Sequence, residues 1–63
     1  MILGDLVKEM NFKGHIVVQL FQNGYWNPVG SCTSENVSSK WFKSLQPCDS
    51  RVVDGVLIFR CVR

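Results

Sequence analysis

The sequence predicts a single α+β domain of order α-β-β-α-β-β, with one antiparallel sheet packed by two short helices. Three observations lead there. Asn23-Gly24 and Asp54-Gly55 each separate runs of β-branched, aliphatic and aromatic residues. Asn or Asp followed by Gly tolerates the positive φ angles of a two-residue hairpin turn. Two other segments space their apolar residues three and four apart, as a helix with one buried face does.

The first helix is expected over residues 2–10. Leu3, Leu6, Val7 and Met10 fall on one stripe, Asp5, Lys8 and Glu9 lie mainly off it, and Gly14 is placed to stop it. His15–Gln22 reads as a strand and Tyr25–Cys32 as its hairpin partner. A two-residue loop pairs Gln22 with Tyr25, Phe21 with Trp26, Leu20 with Asn27 and Val18 with Val29. Ile16, Val18, Leu20 and Val29 then share one face, and Val17, Phe21 and Trp26 the other. Pro28 has no N–H for a ladder, so the second strand belongs at an edge and the first in the interior.

Thr33-Ser34-Glu35-Asn36 has the composition of a helix start. Val37, Trp41 and Leu45 follow at helical spacing, with Phe42 beside them, so a second helix is expected over residues 34–45, ended by Pro47. Arg51-Val52-Val53 forms a short arm before Asp54-Gly55. In the last strand, Leu57, Phe59 and Cys61 face one way, and Val56, Ile58, Arg60 and Val62 the other.

Size and composition restrict function. Sixty-three residues make one domain, spanning 1–63. A domain of that size buries only about 60% of the surface its unfolded chain exposes, which leaves little for a deep catalytic cleft. Self-association is one remedy. Seven Lys/Arg against five Asp/Glu leave a charge of +2, weak grounds for a nucleic acid or an anionic membrane as partner. The charged start is neither a signal peptide nor a membrane span. Cys32, Cys48 and Cys61 form no C-x-x-C pair and read as free thiols in a reducing cytoplasm. A zinc site would need all three with His15.

No constellation points to catalysis or to a cofactor. His15 has no orienting partner nearby in sequence. Cys32 precedes the expected helix start and Cys48 lies in an expected loop, but neither has an evident base. Asp54 is accounted for by its turn, and no phosphate loop or metal motif is present.

Both faces of the first and last strands are partly apolar, and two short helices cover one of them. The other face is therefore a candidate interface, with a partner or with a second copy. The competing arrangement places one helix on each face. The expected protein-binding residues are Val17, Phe21, Tyr25, Trp26 and Asn27, acting through that face or the Pro28-containing edge. The alternative is a small nucleic-acid-binding protein using Lys40, Lys43, Arg51, Arg60 and Arg63, with strand aromatics stacking on bases. A homodimeric structural protein is the third reading.

The pattern also resembles a group of very small proteins encoded by phages and prophages of Gram-positive bacteria. The resemblance rests on the Leu-rich start (residues 3–10), the strand and turn of residues 16–24, the polar middle segment and the apolar last strand at residues 56–59. It spans nearly the whole chain. Pro28, Trp41 and the three cysteines depart from it. It implies a cytoplasmic accessory protein that binds and modulates a host or phage macromolecule, and no catalytic residue.

Overall fold

A computed structural model describes residues 1–63. It contains one helix, α1 (Leu3–Met10), and four strands: β1 (His15–Gln22), β2 (Tyr25–Thr33), β3 (Gln46–Val53) and β4 (Val56–Val62). The strands form one sheet in the order β2-β1-β4-β3. The α+β class and both hairpins agree with expectation. The fully antiparallel sheet and the second helix do not.

Both hairpins turn at the expected dipeptides, with φ of 55° and 86° at Asn23 and Gly24, and 51° and 78° at Asp54 and Gly55. Two consecutive positive φ angles in each turn suit the twist of the strands they join. Pro28 lies on an edge strand, and β1 is interior, as its sequence requires. The register Phe21–Trp26 and Leu20–Asn27 also holds, but a bulge between Val18 and Gln19 pairs Val18 with Gly30 and Gln19 with Pro28. Val29 is the extra residue, and it still packs against the core.

β1 and β4 run parallel. The reason is the route between the hairpins. β2 finishes beside the start of β1, whereas β3 begins opposite the end of β4, at the far edge. Residues 34–45 therefore cross the sheet diagonally and climb its length. A hairpin delivered that way places its second strand beside β1 in the same direction.

That crossover consists of two 3-10 turns, Val37–Ser39 and Trp41–Ser44, separated by an extended Lys40 (φ −98°, ψ 147°). The expected helix fails because its polar residues take the backbone for themselves. Ser39 Oγ donates to the Asn36 carbonyl at 2.8 Å and Ser44 Oγ to the Trp41 carbonyl at 3.2 Å. Ser34, expected as a cap, instead donates its amide to the Gly14 carbonyl at 2.9 Å, and its hydroxyl accepts the Gly14 amide. Trp41 consequently lies outside the core at 56% exposure, while Val37, Phe42 and Leu45 are buried.

The stretch from Gln46 to Ser50, expected as a loop, is the first part of β3. Its turn-like composition is tolerated because β3 is an edge, and a second bulge between Pro47 and Asp49 absorbs Cys48. α1 ends at Asn11, whose left-handed φ of 55° caps it before Gly14 is reached.

The core is Leu3 and Val7 from α1, Val37, Phe42 and Leu45 from the crossover, Ile16, Val18 and Leu20 from β1, and Leu57, Phe59 and Cys61 from β4. All the strand members have one parity, so the core lies on one side of the sheet. The α1 start is tied to the crossover by the Leu3 amide, which donates to the Leu45 carbonyl at 2.9 Å.

Candidate functional site: the uncovered sheet face

The opposite face follows from the same alternation. β1 presents Val17, Gln19 and Phe21, and β4 presents Val56, Ile58, Arg60 and Val62. Register adds Trp26 and Pro28 from β2, and Asp49, Arg51 and Val53 from β3. α1 and the crossover both pack on the other side, so the arrangement with one helix on each face does not occur.

Phe21 and Trp26 are cross-strand neighbours with ring centroids 5.0 Å apart at 58°. Arg60 places its guanidinium 5.4 Å from the centre of the Trp26 ring. Its Nε donates to Gln19 Oε1 at 3.4 Å, across the parallel β1–β4 pair. The four side chains hold one another: the indole face attracts the cation and the amide orients the guanidinium. Trp26 and Arg60 are half-buried, while Phe21 remains 48% exposed. Asp49 lies directly across from Arg60, but its Oδ1 accepts the Ser50 amide at 2.8 Å.

Of the five residues expected to bind protein, Val17, Phe21 and Trp26 come together here. Tyr25 and Asn27 have the opposite parity, since they pair with Gln22 and Leu20. Asn27 is occupied by the hairpin itself: its Nδ2 donates to the carbonyls of Gln22 and Tyr25, each at 3.2 Å. Gln19 is not legible from sequence, because a lone glutamine in an apolar strand carries no signal until its cross-strand neighbour is known. Arg60 reads by charge with the basic residues, although its parity places it on the same face as Ile58.

The basic set does not form one surface. Arg51 and Arg60 lie on the uncovered face, Arg63 follows the end of β4, and Lys40 and Lys43 belong to the crossover on the other side. Lys43 Nζ donates to the Ser38 carbonyl at 3.0 Å.

The thiols are likewise dispersed. Burial pushes Cys32 up from the ordinary thiol range, with Lys40 partly opposing it. Burial pushes Cys61 up to about 11, and the neighbouring Cys48 adds to the shift. Both effects favour the protonated thiol, the reverse of what a cysteine nucleophile needs. His15 and the cysteines do not gather into a metal-ligating group. A shallow depression beside the end of α1, lined by Val7, Lys8, Phe12, Lys13 and Glu35, is open to solvent. No helix is long and apolar enough to cross a membrane. No family model, curated protein or solved structure matches the chain.

Proposed function

We propose that this chain is a non-enzymatic protein-binding accessory or inhibitor module, encoded by a phage or prophage and acting in the cytoplasm by occluding a host or phage protein. One observation carries the reading: every covering element packs on one side of the sheet, and the other side presents Val17, Phe21, Trp26, Ile58 and Arg60 to solvent or half so. Aromatic and arginine side chains ringed by aliphatic ones are the composition of interface anchors. The separation of the five basic residues onto different sides favours a protein over a nucleic acid as the target.

The test is capture by the immobilised chain from bacterial lysate, with and without nuclease, comparing wild type with Trp26→Ala. The reading expects a stoichiometric protein that survives nuclease and is lost with Trp26→Ala, while the melting temperature stays within a few degrees. Phe21→Ser, at a more exposed position, replaces Trp26→Ala if the latter lowers stability. Capture that vanishes with nuclease, or that is indifferent to both substitutions, overturns it.

A further inference from the structure

We infer that the uncovered face is closed by a second copy of the chain, packed face to face about a two-fold axis that crosses the strands. The inference rests on the reading of this face as an interface and names its occupant in the free protein.

The chain has extents of 31 × 24 × 16 Å. The sheet itself is four strands wide at about 4.8 Å and about eight residues long at about 3.3 Å, roughly 500 Å² per partner, which reaches the roughly 1,000 Å² total of a small specific interface. A sheet covered on one side only is half of a sandwich, and a second such sheet packs on it at about 10 Å.

Charge selects the axis. Ser50 pairs with Phe59, Phe59 with Val18, and Val18 with Gly30, so one row crosses all four strands. On the uncovered face, Asp49 and Arg51 straddle this row on β3, Arg60 and Ile58 on β4, and Gln19 and Val17 on β1. A two-fold axis along the row exchanges the members of each pair. Asp49 then meets Arg51 of the second copy, and Arg51 meets its Asp49, which is self-complementary. The same operation lays the Arg60 stem on Ile58, Gln19 on Val17, and Val56 on Val62, so no position meets its own charge. An axis running along the strands between β1 and β4 instead superposes Arg60 on Gln19 and Asp49 on Pro28, and leaves both carboxylate and Arg51 without a counter-charge.

Sedimentation equilibrium on wild type, Asp49→Arg, Arg51→Asp and the double exchange tests this, with circular dichroism to show that each is folded. These positions lie on an exposed edge strand, so the fold tolerates them. The wild type is expected to sediment at twice the 7.2 kDa chain mass. Each single reversal replaces two attractions by two like-charge contacts and is expected to weaken the dimer at least tenfold, and the double exchange to recover most of that loss. A wild type that is monomeric throughout overturns the inference, as does a dimer that the double exchange fails to restore. A monomer whose Trp26→Ala variant still loses its captured protein rejects the second copy but keeps the protein-binding reading. A monomer that captures nothing rejects both.

Discussion

Gly30→Ala is a one-methyl substitution with a large expected cost. Gly30 lies on β2 beneath the Phe42 ring, which is 3% exposed. A Cβ built there meets Phe42 Cε2 at 2.5 Å and Cδ2 at 3.1 Å. Carbon atoms rest at about 3.5–4.0 Å, so the ring must retreat by roughly 1 Å. It cannot swing freely, because Val37 and Leu45 on either side of it are buried and the Leu45 carbonyl is held by the Leu3 amide. The backbone adds nothing, since Gly30 is not in the left-handed region. Overpacking of this kind costs about 1–3 kcal/mol, and the short contact argues for about 2. With a urea slope of about 1 kcal/mol/M for a small domain, the midpoint falls by about 2 M. A core of this size supplies only about 3–5 kcal/mol in total, so the effect is large. Phe42→Leu removes the clashing ring edge. In the double variant, the two substitutions are expected to be less than additive by about 1 kcal/mol. A Gly30→Ala midpoint within 0.5 M of wild type, or strict additivity, refutes this account of how the crossover seats on the sheet, by the same slope.

Trp26→Ala is expected to leave the fold intact and weaken partner binding by about 2 kcal/mol, roughly thirtyfold in Kd by titration calorimetry with the captured protein. Asn27→Ala removes both side-chain hydrogen bonds that brace the first hairpin and is expected to lower unfolding stability by about 1 kcal/mol, read by urea denaturation, with binding little changed. Burial pushes the Cys61 thiol up to about 11 in the folded protein, above the ordinary thiol range. Folding therefore holds a proton that the unfolded chain releases, so this contribution to stability is fully present below the unfolded thiol range and is lost as pH rises toward 11. Denaturation at stepped pH is expected to show that decline, and Cys61→Ala to flatten it. Under native conditions near neutral pH, Cys48 is expected to react readily with a thiol reagent and Cys61 only after unfolding, as counted by mass spectrometry.

Local signals in this chain carry the hairpins and the strand faces. Asn23-Gly24 and Asp54-Gly55 are chemically restricted to turns, and alternation in β1 and β4 separates Ile16, Val18, Leu20, Leu57, Phe59 and Cys61 from the opposite parity. Pro28 identifies an edge because it lacks a donor. The crossover was not legible for a definite reason. Val37, Trp41 and Leu45 satisfy a helical period, but Ser39 and Ser44 bond their own turns and Lys40 is extended, so the chain buries Phe42 in place of Trp41. β3 reads short in the sequence because Pro47, Asp49 and Ser50 have turn chemistry, which an edge strand with a bulge accommodates. The parallel β1–β4 pair depends on where a twelve-residue connection lands, a tertiary outcome without a local signature. In the site, Val17, Phe21 and Trp26 could be placed by parity alone. The contacts of Gln19 and Arg60 with them required the register between hairpins.

The sheet face opposite α1 is the proposed working surface. Backbone amide chemical-shift mapping of the isotope-labelled chain, titrated with the unlabelled protein it captures, tests it most directly. Shifts are expected to concentrate at Val17, Gln19, Phe21, Trp26, Ile58 and Arg60, with the amides of Val37–Ser44 little moved. Shifts confined to α1 and the crossover, with the amides of the open face undisturbed, would contradict it.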